Sequence, residues 1–291
     1  MCLLWLNNSK GEQMIWQCGK YKLDVSHKPL VMGILNITPD SFSDGGRYLD
    51  YKAAVERGLR LAEEGADIID IGGESTRPGA QKVSLDQELQ RVLPVIEQLA
   101  SKLKLPVSID TYKSQVAKAA LEAGASIVND ISGLNFDPEM ALTVSSAKAG
   151  LVLMHIKGTP EDMQTDPRYD DLLAEVGSYL KASIKMAAEA GIMHEAIAID
   201  PGIGFGKTVE HNLSLIKNLE CFARFNCPLV AGASRKSFIG KLNNDIPADQ
   251  RLPGSLAAAL LAVQNGASVI RCHDVRETGQ ALKMYQAIKN A

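Results

Sequence analysis

No stretch of this chain reaches the roughly 18 unbroken apolar residues that a membrane span needs, and nothing in it favours a polyanion as partner. Its 31 Lys and Arg against 34 Asp and Glu give a formal net charge of −3, whereas chains that grip nucleic acid or anionic membranes usually carry a basic surplus. Any anionic ligand must then be met by a local cluster of donors. Cysteine is scarce too. The five thiols, Cys2, Cys18, Cys221, Cys227 and Cys272, are odd in number and show neither C-x-x-C nor metal-ligand spacing, which predicts reduced thiols in a cytoplasmic protein. In "MCLLWLNNSK" no basic residue precedes Leu3, Leu4, Trp5 and Leu6, so the opening lacks the charged flank of a signal peptide. Linkers, low-complexity tracts and charge runs are missing as well. With 291 residues, 46% of them apolar, the expectation is one large domain over 30–291 behind an extension over 1–29.

A phosphate-cradling loop is also missing, although "DPGIGFGKT" (residues 200–208) imitates one. A Walker-type loop needs glycine, four residues, then Gly-Lys-Ser/Thr, so that successive backbone N–H groups wrap the phosphates. Counting back from Gly206, Lys207 and Thr208 puts Pro201 at the first glycine position, and proline has no N–H to donate. The dinucleotide pattern fails as well, with Lys207 where its third glycine belongs. The glycines must serve another purpose.

What the chain does have is a rhythm. Short Ile- and Val-rich runs recur: "LVMGILN" (30–36), "ADIIDIGG" (66–73), "PVSIDT" (106–111), "SIVNDIS" (126–132), "GLVLMHI" (150–156), "AIAIDPG" (196–202), "PLVAGAS" (228–234) and "SVIRCHD" (268–274). Near-continuous apolar runs are how strands buried on both faces of a parallel sheet read. Helix-period stretches such as "YKAAVERGLRLAEEGA" and "YKSQVAKAALEAGA" lie between them, and the repeated "GA" before a strand suits a glycine helix stop. Eight such units predict an α/β fold, a (β/α)8 TIM barrel. A doubly wound open sheet gives the same rhythm and is the alternative. "IWQCGKYKLDV" reads as a short N-terminal β-hairpin that covers the barrel floor.

In both architectures ligands bind beyond the carboxyl ends of the strands. The polar residues there are Asn36, Asp110, Asn129, His155, Asp200, Ser234 to Lys236, Arg271 and His273. Alone, an Asp or Asn after a strand is often just an N-cap, which suffices for Asp130 and Asp274. It serves Asp110 poorly, because Thr111 can cap the next helix itself. His155 reads equally as a satisfied barrel histidine, and Glu161, Asp162 and Asp166 as a solvated loop. The apolar "SLAAALLAV" (255–263) suggests packing against a neighbour beyond its own barrel, hence a homodimer. Asp110, Asn129 and Asp200 make an acceptor-rich floor that a heterocycle with a guanidine-like N–H edge would satisfy. Lys236, Arg271 and His273 make a cationic rim suited to phosphate or diphosphate, helped by a helix that begins near Ser237. "GILNITPDSFSDGGRY" and "GGESTRPGA", after the first two strands, are long loops that would overhang the mouth.

Together, "GILNITPDSFSDGG", "GGESTRPGA", "SIDT", "VNDISG", "DPGIGFGKT", "ASRKSFIG" and "RCHDV" resemble the dihydropteroate synthase family, which joins 6-hydroxymethyl-7,8-dihydropterin diphosphate to p-aminobenzoate. The resemblance implies that Asp110, Asn129, Asp200 and Lys236 hold the pterin, with Met154 and Gly232 near its faces. It implies a diphosphate site of Asn36, Thr76, Arg77, Arg271 and His273, with Asn36 acting through Mg²⁺. For p-aminobenzoate, and for the sulfonamides that mimic it, the matching positions are Phe42, Pro78, Phe205, Lys236 and Ser237. The expected catalytic set is Asp110, Asp200, Lys236, Arg271 and His273, and because aniline is a weak nucleophile and neutralised diphosphate a good leaving group, the expected reaction is a dissociative substitution with Mg²⁺ assisting diphosphate departure. Ala233, where the family often has threonine, and Lys157, where it has glutamine, depart from the pattern without touching these positions. A class I aldolase using Lys207 or Lys236, a pterin-dependent methyltransferase barrel and a non-catalytic pterin-binding protein are the competing readings.

Overall fold

The computed structural model describes residues 13–37, 46–77 and 79–291. Strands β1 (Ile15–Cys18) and β2 (Tyr21–Asp24) pair antiparallel as a hairpin, turning at Gly19 with φ 58°, a value that favours glycine. Eight parallel strands follow: β3 (Leu30–Asn36), β4 (Ile68–Gly72), β5 (Val107–Asp110), β6 (Ile127–Asp130), β7 (Gly150–Met154), β8 (Ile197–Asp200), β9 (Val230–Ala231) and β10 (Val269–Cys272). Their order is β8-β7-β6-β5-β4-β3-β10-β9. A parallel bridge from Ile199 to Leu229, with Ile199 N donating to Pro228 O at 2.9 Å, brings β8 back to the β9 end. The sheet is thus a (β/α)8 barrel rather than the doubly wound alternative. Strand β9 is only two residues long, in keeping with Pro228, which has no N–H for a ladder.

The helices that cover the barrel are α1 (Gly46–Glu63), α2 (Leu85–Lys102), α3 (Ser114–Glu122), α4 (Met140–Ala147), α5 (Leu172–Glu189), α6 (Val209–Lys217), α7 (Ser237–Lys241), α8 (Leu252–Gln264) and α9 (Val275–Lys289). Local chemistry sets their ends. Ser84 and Gln87 form a capping box at the start of α2, worth about 1 kcal/mol. Gly65, Gly124 and Gly266, the glycines of the repeated "GA", have φ of 102°, 109° and 101° and stop α1, α3 and α8. No described helix is long and apolar enough to cross a membrane.

Strand alternation divides the apolar residues between two cores. Ile69, Ile71, Ile109, Leu151 and Ile199 point outward against helical residues such as Val92, Ile96 and Leu99. Met32, Ile68, Ile127, Val152, Ala198, Val230 and Val269 point inward and fill the barrel's lower end. The hairpin caps that end: Trp16 and Cys18 are fully buried in the same cluster, and Trp16 Nε1 donates to Ala196 O at 2.9 Å. Gly150 is required by this approach, since a Cβ there would sit 2.7 Å from Cys18 Sγ. The expected floor-covering hairpin is present.

Candidate active site

At the upper end of the same strands the inward side chains become polar. Register places Asn36, Gly72, Asp110 and Asn129 side by side on β3 to β6, and Met154 beside Asp200 on β7 and β8. One row lower lies Asp70, fully buried. A guanidinium joins the carboxylates: Arg271 Nε donates to Asp70 Oδ2 at 2.6 Å and Nη2 to Asp110 Oδ2 at 2.5 Å. Asn129 Nδ2 donates to Asp70 Oδ2 at 3.1 Å. Asp200 Oδ1 accepts from Gly202 N at 2.7 Å. Each carboxylate of the Arg271 bridge keeps one oxygen, Asp70 Oδ1 and Asp110 Oδ1, buried and, among the described residues, without a hydrogen-bond partner. Such atoms cost about 1–3 kcal/mol each unless a ligand or water satisfies them.

Burial pushes the Asp110 and Asp200 carboxyls upward, against the pull of Arg271 on Asp110 and of Lys236 on Asp200. Burial would lower Arg271, but Asp70 and Asp110 outweigh it and hold the charge. Lys236 is brought down to about 8 by burial, with Asp200 opposing. Its ammonium donates to Ile203 O and lies 4.5 Å from the centroid of the Phe205 ring. Gly232 faces the same pair of cations, since a Cβ there would lie 3.8 Å from Arg271 Cβ and 3.9 Å from Lys236 Nζ. Phe205 and Met154 pack with Ile131, Ile156 and Met163 as an apolar wall beside the polar floor.

The glycines of "GIGFG" now have their reason. Gly202, Gly204 and Gly206 all have positive φ, at 71°, 85° and 60°. A Cβ on Gly202 would lie 1.8 Å from His155 O, one on Gly204 2.6 Å from Lys236 Cδ, and one on Gly206 2.4 Å from Lys157 O. The loop presses its backbone against the loop after β7. Lys207 locks it there: its amine contacts His155 Nδ1 and donates to Phe205 O, both at 2.9 Å. Lys207 is buried, and burial lowers it well below the ordinary lysine range. His155 is a satisfied histidine, stacked edge-on against Tyr179 with centroids 4.8 Å apart.

The rim lies across the barrel. Arg235 takes φ 57°, and its guanidinium grips Asp274 through Nε at 2.9 Å and through Nη2. Arg251 Nη1 donates to Arg235 O at 3.0 Å, and Arg235 N to Ser255 Oγ at 2.9 Å. His273 Nδ1 stands 3.0 Å from Ser234 Oγ. Burial first, then the charges of Arg271, Arg235 and Arg77, take His273 down to about 3, so the ring is neutral at ordinary pH.

Residues 32–273 match the family described as pterin binding enzyme. A dihydropteroate synthase of Escherichia coli strain K12 is 48% identical over 271 residues, 92% of this chain and 94% of that one. The chain belongs to the dihydropteroate synthase family. Among solved structures, Xanthomonas albilineans dihydropteroate synthase with 4-aminobenzoic acid superposes with a TM-score of 0.90 at 46% identity, covering 96% of this chain and 100% of that one. The Yersinia pestis enzyme with a sulfonamide drug gives 0.90 at 42%, covering 96% and 100%. Membership makes this chain a transferase of folate biosynthesis.

Of the residues expected in a family site, Asn36, Asp110, Asn129, Met154, Asp200, Phe205, Gly232, Lys236, Arg271 and His273 stand at the upper strand ends or in the loops that follow. Phe42 and Pro78 lie outside the described residues. Ser237 is exposed and opens α7, which at five residues has little dipole to offer an anion. Thr76 is half-buried and Arg77 exposed, in the loop between β4 and α2. Arg271, expected on the rim, reaches into the floor, because two buried carboxylates need a counter-charge.

Two capping expectations change. Asp274 makes no cap bond to α9 and pairs with Arg235 instead. Thr111 does not cap α3, which begins at Ser114; its Oγ1 accepts from Lys113 N at 3.2 Å. Asp130 does organise its turn, accepting from Ser132 N and Leu134 N, each at 2.8 Å.

Sequence reasoning missed Asp70 and a brace under the second loop. Lys113 Nζ bonds Glu74 Oε2 at 2.5 Å, Glu88 Oε2 at 2.6 Å and Val83 O at 2.7 Å, tying both ends of that loop together. Tyr112 adds a bond to Glu74 Oε1 at 2.8 Å. Both had a signal. Asp70 sits between isoleucines in a run with no other reason to carry charge, and Lys113 stands two residues after the Asp-Thr pair at a strand end.

Proposed function

We propose that the barrel mouth condenses 6-hydroxymethyl-7,8-dihydropterin diphosphate with p-aminobenzoate, releasing diphosphate and 7,8-dihydropteroate. The observation that carries this is the floor: Asp110, Asn129 and Asp200 converge with Asp70, and two of the buried carboxylate oxygens lack a partner among the described residues. A pterin's ring N–H groups are donors of the right kind to supply one. The apolar wall of Met154, Phe205 and Ile131 gives the flat ring a surface to pack against. Lys236, between Asp200 and the Phe205 ring, stands where the pterin and the aminobenzoate would meet.

Aniline is a weak nucleophile and neutralised diphosphate a good leaving group, so the C–O bond breaks largely before the C–N bond forms. The chain's part is electrostatic. Asp110 and Asp200, whose charge is raised in cost by burial, stabilise the cation that develops on the pterin. Arg271 and His273, with Arg77 from the second loop, receive the negative charge that leaves. Thr76 and Arg77 stand on a loop tied across the mouth by Gly79 N donating to Pro160 O at 3.1 Å, which limits water capture of the cation. The aminobenzoate carboxylate falls to Ser237; Phe42 and Pro78, matched to the same substrate by the resemblance, lie outside the described residues. The sulfonamide drug complex of the Yersinia pestis relative supports sulfonamides as ligands of this chain.

Among the described residues no three His, Cys, Asp or Glu side chains converge on a metal site. A single carboxamide oxygen, Asn36 at the end of β3, fits Mg²⁺ held chiefly by substrate phosphate and water. When bound, Mg²⁺ would neutralise the leaving diphosphate. The protein is taken to be cytoplasmic, in line with the buried thiols Cys18, Cys227 and Cys272. A second copy of the chain fits the groove of Phe238, Ile239 and Gly254 between α7 and α8, rimmed by exposed Leu213, Leu242 and Leu261. Light scattering should give twice the chain mass, and Leu261→Glu should give the monomer.

The activity test is direct. Incubation with the pterin diphosphate, Mg²⁺ and p-aminobenzoate should release diphosphate and form dihydropteroate in equal amounts. Absence of both products would sink the assignment.

A further inference from the structure

Ser234 lies in the turn after β9, is 8% exposed, and touches His273, the residue after β10, twice. Its Oγ accepts the His273 backbone N–H at 3.2 Å and lies 3.0 Å from the same residue's Nδ1. A hydroxyl has one proton and two lone pairs. One lone pair is taken by the backbone N–H. Among the described residues the only other partner of the oxygen is Nδ1, so the hydroxyl proton goes there or remains unsatisfied in a buried site, at the full cost of desolvation. Nδ1 is then an acceptor, and the ring's own proton must sit on Nε2.

We infer that Ser234 is a positioning residue that fixes His273 as the Nε2–H tautomer, so that the neutral ring offers the departing diphosphate a donor. The consequence for an anion is a change of sign. The other tautomer would aim the Nε2 lone pair at the phosphate oxygens. Burial, and then the guanidinium groups of Arg271, Arg235 and Arg77, disfavour a proton on both nitrogens, so the unliganded ring is neutral and one tautomer or the other. Arg57 Nη2 holds the His273 carbonyl at 3.4 Å, and the Arg235–Asp274 pair holds the residues on either side of the Ser234–His273 contact. The backbone on both sides is fixed, and the hydroxyl selects the tautomer. The role for His273 rests on the proposed reaction; the tautomer does not.

The test uses the full chain labelled with [15N]histidine. Long-range 1H–15N correlation reads each imidazole's tautomer, with the His273 signals assigned by their loss in His273→Gln. The wild-type ring should be Nε2–H, Ser234→Thr should keep it, and Ser234→Ala should shift it toward a mixture. In steady state, Ser234→Ala should raise KM for the pterin diphosphate about tenfold and leave KM for p-aminobenzoate unchanged, with Ser234→Thr restoring the first. An Nδ1–H ring in the wild type, or an unaltered ring in Ser234→Ala, overturns the inference. A tautomer that shifts while neither KM moves overturns the diphosphate role of His273 and leaves the Ser234 assignment standing.

Discussion

The two ends of the barrel are made by the same eight strands, yet they are opposite in kind. Below, Met32, Ile68, Ile127, Val152 and Val269 meet Trp16 and Cys18 in a closed apolar layer. Above, two residues further along several of those strands, Asp70, Asn129 and Arg271 meet Asp110 and Asp200 in a polar layer with buried oxygens left over. The lower end gains its energy from removing apolar surface from water. The upper end holds buried carboxylate oxygens that no described side chain satisfies. The division assigns stability to one end and chemistry to the other.

The largest expected effect tests the stable end. Trp16→Ala should cost about 3–5 kcal/mol in denaturant unfolding, while kcat of the folded enzyme stays near wild type. An unchanged midpoint would show that the hairpin is dispensable. Arg271→Met breaks the comparison from the other side, because it strands Asp70 and Asp110 without a cation. A loss of about 3 kcal/mol is expected, with Asp70→Asn in the same chain recovering part of it and no activity. Additive losses in the double variant would dissolve the pairing. Gly202→Ala forces a Cβ against His155 O and should cost about 1–3 kcal/mol, with both KM values disturbed.

The smallest effect is in pH. Lys236 titrates near 8 in the folded chain because of burial, below an ordinary lysine near 10.4. Between those values the unfolded chain binds more protons, so this group's contribution makes stability rise with pH across that window. Substrate binding runs the other way: KM for the pterin diphosphate should climb above pH 8 as the ammonium is lost, and Lys236→Arg should flatten that limb. His273, held near 3, should add no acid limb at pH 6–7; one that vanished in His273→Gln would contradict its neutral assignment.

Much of the mouth was legible in the sequence because apolar runs end in polar residues at the strand ends. Asp110, Asn129 and Asp200 are of that kind, and the structure puts all three in the floor. Partnerships across the barrel were not legible, since sequence pattern carries no angle around the ring. Hence the pairing of Arg271 with Asp70 and Asp110, 201 and 161 residues away, and of Arg235 with Asp274, was not foreseen. "DPGIGFGKT" shows the limit from the other direction. Its composition suggests phosphate, but its φ angles and close approaches belong to a loop packed on its neighbour and pinned by a buried lysine. Local composition identified a special backbone; only the packing showed what made it necessary.

The central claim is that the polar floor stabilises charge developing on the pterin. Rapid-quench measurement of the chemical step in Asp110→Asn, with both substrates saturating and Mg²⁺ present, tests it most directly. The account predicts a rate lower by about 100-fold with Tm changed by no more than a few degrees. A wild-type rate under those conditions would contradict it and leave Asp110 as a residue that only binds.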